Sequence, residues 1–403
     1  MLSSQRVSAQ ARTTASPSRA AALTGIGVVL IAFNLRAGIS STSALLSQLQ
    51  AHLGFGPGVA ALVSTLPTLC FAAVGACGAM AARRVGTERA VLLALLTLCA
   101  GLAVRAVPGA AALLAGTFLG AAGLALCNVL LPAVVRVHFP ERIALLTGLY
   151  TTAVSIGSAV AAAAAVPVAA VLGDPSLGLA AWALPALVAL SVWALRRDSW
   201  HTVAERTTAR RVSALSMGRT RFGLLAAAFF ALQCLNSYVV IGWLPSILTD
   251  TGMSTGRAGA LLGLTLATGI PTSFALMPLC KSMPRLRTGF VLVGGALISG
   301  YLGLLYAPLA VSALWAALTG LGLGSFPLIL VMIGSAGRNA EEAAALSTFI
   351  QSTGYLAASV GPFAVGLLRS ATGDWHLPLV LLIVLALLQM VVGLLLTTTG
   401  ARR

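Results

Sequence analysis

Acidic residues are scarce in this chain. Nine Asp and Glu occur in 403 residues, and none falls inside one of its long apolar runs. A cation placed in those runs therefore has no carboxylate there to pair with. Charged residues of both signs reach only 8%, far below the ~25% of a soluble domain, which excludes an ordinary globular fold. Cysteine is sparse as well. Cys70, Cys77, Cys99, Cys127, Cys234 and Cys280 lie in or at the ends of apolar runs without a Cys-x-x-Cys pair, and read as small buried hydrophobes. Four histidines sit near loops, and no His-Glu-x-x-His, Walker or Gly-x-Ser-x-Gly motif is present. An enzyme, a metal site and a cofactor are therefore not expected.

Hydrophobic residues are abundant, at 58%. They fall into twelve segments: 22–43, 58–81, 90–106, 110–135, 143–172, 177–195, 222–248, 258–279, 289–306, 308–333, 343–368 and 377–396. Most run for about 20 residues, the helix length that crosses a core ~30 Å thick. A membrane barrel would instead show weaker alternating runs of about ten residues. Each segment is interrupted by Gly or Pro, which membrane helices tolerate when neighbours restore the freed backbone bonds.

The excess of basic residues gives a net charge of +16. In a soluble chain this suggests nucleic acid; here the basic residues sit in short loops, so the partner is the bilayer and no nucleic acid is expected. One side of the array holds 21 of the 25 Lys and Arg, and the other only Arg105, Arg257 and Arg369. The positive-inside rule then places both termini in the cytosol, in a multi-pass protein of the inner (plasma) membrane. Residues 1–20, Ser-, Thr-, Ala- and Arg-containing with no acid, read as a disordered cytosolic tail; a transit peptide has similar composition and is the alternative. The first apolar run is too long for a signal-peptide core and should stay attached. The one long connection, 196–221, carries seven arginines and separates a bundle over 21–195 from another over 222–403.

The two halves repeat. Gly54-Phe55-Gly56-Pro57-Gly58-Val59-Ala60 aligns with Gly252-Met253-Ser254-Thr255-Gly256-Arg257-Ala258, 198 residues on. Leu66-Pro67-Thr68 matches Ile270-Pro271-Thr272, and Gly116-x-x-x-Gly120 matches Gly320-x-x-x-Gly324, small-residue faces that let helices approach. In order and at nearly one offset, these imply two six-helix units related by an axis along the membrane normal. The expected class is all-α: twelve transmembrane helices in two pseudo-symmetric bundles.

Arg36 is the last of the 25 basic residues, in the middle of the first apolar run. Its charge cannot be removed, and arginine at the centre of a membrane helix costs ~3 kcal/mol on insertion scales. Such a residue faces a protein interior or a wet cavity and seeks an acceptor. At Cys234, its equivalent in the second half, the charge is not repeated.

Several stretches carry a resemblance. Phe33-Asn34-Leu35-Arg36, Thr65-Leu66-Pro67-Thr68-Leu69-Cys70-Phe71, Ala82-Arg83-Arg84-Val85-Gly86-Thr87-Glu88-Arg89-Ala90, Asn128-Val129-Leu130-Leu131-Pro132, Thr147-Gly148-Leu149-Tyr150 and Gln351-Ser352-Thr353-Gly354-Tyr355 are similar to the cyanate and nitroimidazole transporter family. The six-plus-six arrangement with its basic central loop resembles the major facilitator superfamily to which that family belongs. The resemblance implies the major facilitator fold, and Arg83, Arg84, Gly86 and Arg89 would form the gating and topology loop. The superfamily pattern there, Gly-x-x-x-Asp-Arg-x-Gly, usually includes an Asp that this chain lacks, which puts a gating ion pair centred on it in doubt.

Candidate binding residues are polar positions within the apolar runs: Arg36 with its neighbour Asn34, Asn128, Tyr150, Gln233, Asn236, Gln351 and Tyr355. Ser347, Gln351 and Tyr355 form a stripe at i+4 steps, and Ser40 and Ser43 follow Arg36 on one helical face. Each has a structural reading beside the functional one. Arg36 could be held by carbonyls or tyrosines, Asn128 could join helices, and Tyr150 could anchor at the interface. The expected function is secondary transport, by a monomer, of a small polar solute: anionic, or neutral with an electron-rich group such as nitro. The resemblance implies cyanate-like or nitroimidazole-like compounds. The alternatives are drug efflux, which would favour an intramembrane Asp or Glu, and a membrane sensor that binds without turnover.

Overall fold

The structure, a computed structural model, describes residues 19–196, 217–276, 278–279, 282–336 and 340–400. The expected N-terminal tail and nearly all of the central basic loop lie outside the described residues. Fifteen helices are described, and together they trace the twelve segments. In the first half they are α1 (Arg19–Leu53), α2 (Pro57–Val85), α3 (Thr87–Val104), α4 (Ala110–His138), α5 (Ile143–Leu172), α6 (Pro175–Ala180) and α7 (Ala183–Ala194). The second half has α8 (Arg221–Thr249), α9 (Thr255–Leu276), α10 (Met283–Tyr306), α11 (Ser312–Leu323), α12 (Phe326–Ala336), α13 (Ala340–Ala358), α14 (Val360–Thr372) and α15 (His376–Gly400).

Three segments are split rather than continuous, and proline accounts for the positions. Proline lacks the N–H that would bond the carbonyl four residues earlier. Pro185, Pro327 and Pro362 each stand four residues after a break, at Ala181, Leu323 and Ala358. Two freed or neighbouring carbonyls are taken up by side chains: Gln233 donates to the carbonyl of Leu323 at 2.7 Å, and Trp243 to that of Pro362 at 2.9 Å. Among the described residues ten spans are long and apolar enough to cross a membrane, with α6 and α7 together forming one of them. The pairs α11–α12 and α13–α14 complete the twelve.

Glycine sets the closest contacts. A Cβ at Gly101 of α3 would lie 2.2 Å from the backbone nitrogen of Gly120 on α4, and one at Gly320 would lie 2.1 Å from the carbonyl of Thr265. The small-residue faces seen in the sequence are therefore true helix contacts. The repeat also shows in the backbone. Gly54 and Gly252, 198 residues apart, both turn with positive φ, at 67° and 92°, a conformation natural only to glycine. Outward faces carry Leu93, Phe118, Val171, Leu224, Phe274 and Val384, all exposed, as lipid requires.

The two bundles meet toward the face opposite the basic loops. Ser43 of α1 donates to the carbonyl of Gly242 on α8 at 2.8 Å, and Gln48 to Thr255 at 3.0 Å. Gly259 and Gly263 of α9 lie against the carbonyls of Ala162 and Ala159 on α5, and Gly366 of α14 against Ala61 of α2. Nearer the middle the contact turns aromatic, through Phe71 of α2 and Tyr355 of α13.

Candidate functional site: an unpaired arginine between the bundles

Arg36 lies at the middle of α1, half-buried, where the two bundles face each other. Its guanidinium carbon stands 5.7 Å from the centroid of the Tyr238 ring on α8, within the range of a cation–π contact. The ion pairs among the described residues join His52 to Asp174, His138 and Arg196 to Glu88, and Arg369 to Asp250; Arg36 belongs to none of them. The charge that the sequence leaves without a carboxylate is thus held at Tyr238, by its ring and its hydroxyl.

Helical spacing explains the partner. Cys234 and Tyr238 are four residues apart and share the α8 face turned toward α1. Around Tyr238 the rings form a cluster drawn from both bundles. Phe71 stacks on Tyr355 with centroids 6.0 Å apart, and Tyr238 lies 6.5 Å from Tyr355. Phe230 meets Tyr355 and Phe326 edge-on, at 5.3 and 5.4 Å. Tyr150, Cys234 and Arg36 are all within electrostatic reach of the Tyr355 phenol. A guanidinium beside such a cluster can bind a planar, electron-rich group by its N–H donors while rings cover the faces.

The remaining candidates are placed differently. Gln233 and Asn236 lie on other faces of α8 and are saturated within the second bundle. Gln233 accepts from Gln389 at 2.6 Å and from Ser325; Asn236 donates to Gln389 at 3.0 Å and accepts from Tyr301 at 2.9 Å. Burial demands such closure of amide groups, and it leaves them no free donor for a solute in this conformation. Asn34 turns to α7, donating to the carbonyls of Leu30 and Pro185 at 2.8 and 3.2 Å. Gln351 donates to Ser347 one turn back at 2.7 Å. Asn128 is half-buried on α4, and its side chain makes no hydrogen bond to the described residues. Of the eight candidates, Arg36, Tyr355 and Tyr150 are brought together.

Toward the opposite face lies a narrow cavity that shares Tyr238 with Arg36. It is lined by Gly38, Thr42 and Ser43 of α1, Ser64 of α2, Thr117 of α4 and Tyr238 of α8, together with Arg105. The space in which the centre of a water molecule fits is about 10 Å³, room for roughly one water. Sequence reading places Arg105 in a loop as a topology signal; the structure folds it inward, 4% exposed. The Gly116–Gly120 face of α4, which admits the side chain, is the signal that could have found it. Among the described residues no cluster of His, Cys, Asp and Glu could hold a metal.

Residues 28–362 match the sequence model of the Major Facilitator Superfamily. The chain belongs to that superfamily. It is 35% identical over 373 residues to the 2-nitroimidazole transporter of Escherichia coli (strain K12), covering 91% of this chain and 93% of that one. It is 29% identical over 355 residues to the cyanate transport protein CynX of the same organism, covering 86% and 90%. Among solved structures it shares its fold with a bacterial homolog of the human lysosomal transporter Spinster, with a TM-score of 0.75, 13% identity and 96% and 99% coverage. The superfamily is one of membrane transporters, not of enzymes, and the chain is a multi-pass membrane protein.

The superfamily loop between α2 and α3 holds an ion pair of its own. The Asp of the usual pattern is missing, yet a buried acid is present: Glu88, 7% exposed, two residues after Gly86. Arg196 at the end of α7 grips it with Nη1 and Nη2 at 2.5 and 3.2 Å, and His138 at the end of α4 contacts the same carboxylate. Trp193 donates to the Glu88 carbonyl at 3.1 Å and stacks beneath Arg196 at 4.2 Å. The ion pair therefore ties α3, α4 and α7 of one bundle at the basic-loop face. Arg84 and Arg89 are exposed there, Gly86 turns with φ of 86°, and the Arg83 side chain lies outside what the structure describes.

Proposed function

We propose that this chain is a secondary transporter that moves a small polar solute, anionic or nitro- or cyanate-like, across the cytoplasmic membrane by alternating access. The observation that carries the reading is Arg36: a fixed charge with no carboxylate partner among the described residues, set over Tyr238 between the bundles. A guanidinium offers a planar fork of donors that matches carboxylate or nitro geometry. The ring cluster of Phe71, Tyr238 and Tyr355 would cover the flat faces of such a solute. The names of the two relatives, for 2-nitroimidazole and for cyanate, support the same class.

In this reading the units over 21–195 and 222–403 rock about the site, the described contacts through Ser43, Gly259 and Gly366 being one end of the cycle. Both termini and the 196–221 loop lie in the cytosol, and Arg36, Tyr150, Tyr238 and Tyr355 touch the solute. The protein works as a monomer with no cofactor. Flux of cyanate, nitrate, small carboxylates and 2-nitroimidazole into proteoliposomes tests it. Uptake of one of these that stops with Arg36→Met supports the assignment. Uptake only of cationic or greasy compounds turns the reading to drug efflux, and ligand binding without flux of any solute turns it to a sensor.

A further inference from the structure

We propose that Arg105 and Thr117 form a second anion subsite, separate from Arg36, which takes a compact monoanion: a free halide or the charged end of the solute. The C-terminal cap of α3 brings Arg105 to the cavity, and glycines make room for it. A Cβ on Gly116 would meet its Cγ at 2.8 Å, while a Cβ on Gly38 or Gly120 would stand at ordinary contact, 3.8 Å, from Nη1 or Nη2. Nη1 spends both protons, on the Gly38 carbonyl at 3.0 Å and Thr42 Oγ1 at 3.1 Å. An arginine carries five donors. The other three, one on Nε and two on Nη2, have no partner among the described residues, and Nε is fully buried.

The cavity is also lined by Thr117, 1% exposed, whose Oγ1 is buried without a partner. Buried polar atoms are nearly always satisfied, and here a charged fork and a hydroxyl are left open along one narrow space. No carboxylate pairs with Arg105 among the described residues. The Nε–Nη2 edge of a guanidinium is its two-pronged donor edge, and the cavity that Arg105 and Thr117 line has room for about one water, so an anion larger than water must push its walls apart to reach that edge. Gly38 and Thr42 lie about 3 and 9 Å along α1 from Arg36, from the 1.5 Å rise per residue. Two cations without a carboxylate partner among the described residues therefore stand within two turns of each other along α1, with Tyr238 beside Arg36 and in the lining of the cavity of Arg105. This deepens the transport reading and rests on it for any link between the two, but not for the occupancy of Arg105 itself.

The test is the melting temperature of the purified full chain as sodium chloride or sodium cyanate replaces sodium gluconate at constant ionic strength. Wild type, Arg105→Met, Thr117→Val and Arg36→Met are compared. A bound anion stabilises the folded state in proportion to its occupancy. Loss of a charge-assisted donor should raise the half-effect concentration about tenfold or more in Arg105→Met, and several-fold in Thr117→Val. Thr117→Val itself should melt no lower than wild type in gluconate, since its hydroxyl is unpaired. If Arg105→Met does not fold, Thr117→Val decides.

Shifts by chloride and cyanate that compete make the subsite part of the solute path; additive shifts make it a resident halide site. Equal half-effect concentrations in wild type and Thr117→Val, or no anion response in wild type, overturn the proposal. An Arg36→Met protein that keeps both anion response and flux overturns the Arg36 reading and leaves this one standing.

Discussion

Ser43 on α1 and Gly242 on α8 are joined by a hydrogen bond of 2.8 Å from the serine hydroxyl to the glycine carbonyl, so the first helix of one bundle is fastened to the first helix of the other. The Ile241 carbonyl accepts from the same hydroxyl. Because this contact crosses the bundles on the face opposite the basic loops, it must break if that face opens. Ser43→Ala removes about 1 kcal/mol, enough to shift an equilibrium roughly fivefold. In a cysteine-free background, a reporter cysteine at Ser64 should then label several times faster from that face. Unchanged labelling would show that the contact does not hold the bundles together.

Gly259 gives a steeper version of the same experiment. A Cβ there would stand 2.8 Å from the Ala162 carbonyl, and one at Gly263 2.9 Å from the Ala159 carbonyl. Both obstacles are backbone, which cannot swing aside. Gly259→Val should prevent α9 from closing on α5, abolish flux, and leave the reporter at Ser64 permanently reactive. A Gly259→Val protein that still transports would place the hinge contact elsewhere.

Glu88 and Arg196 make a different prediction, about stability. Both are buried, and removing one partner of a buried pair costs ~3–5 kcal/mol because the other charge is stranded. Glu88→Gln should lower the melting temperature sharply, and Arg196→Met in the same chain should recover part of the loss. Equal, additive losses from the two changes would argue against a coupled pair. The rim charges Arg84 and Arg89, exposed to solvent, should tolerate substitution without such a penalty.

At the other face Asp174 caps α6. The backbone N–H of Leu177 holds its carboxyl below the usual carboxylate range, with further help from Ser176 and from His52 at 3.2 Å. A depressed folded value means that the cap stabilises α6 above the unfolded carboxylate pKa of about 4, and that this is lost as pH falls through the folded value. The protection of the Ser176 and Leu177 amides, taken against their intrinsic exchange rate at each pH, should fall in acid in wild type and already be low at neutral pH in Asp174→Ala.

The architecture was largely legible in the sequence, because lipid leaves few alternatives. Apolar length, the bias of Arg and Lys, and the 198-residue offset specify the twelve segments before any contact is known. The offset even matches the paired turns at Gly54 and Gly252. The surroundings of the candidate site were less legible. Gln233 and Asn236 look like solute ligands because polar residues in lipid-length sequence are costly, but the proline at 327 frees a carbonyl that Gln233 is needed to satisfy. Arg105 was hidden for the opposite reason. A residue at the end of an apolar run reads as a loop unless the glycines of a different helix are known to receive it.

Arg36 tests the functional reading most directly. If it is the solute's counter-charge, its cost in the membrane is offset by water or by the anion, whichever fills the cavity. Arg36→Lys keeps the charge but loses the planar fork, so binding should weaken while folding survives. Arg36→Ala removes a cation with no carboxylate partner among the described residues, relieving an insertion cost of ~3 kcal/mol. The melting temperature of the empty protein should therefore stay level or rise, while stabilisation by solute disappears. A scaffold arginine predicts the reverse, because the Tyr238 face would lose its cation and neighbouring acceptors would be left unsatisfied. The comparison to make is wild type against Arg36→Ala, each with and without cyanate or 2-nitroimidazole. A mutant that melts well below wild type when empty, yet keeps the full solute shift, would make Arg36 part of the frame and move the site away from it.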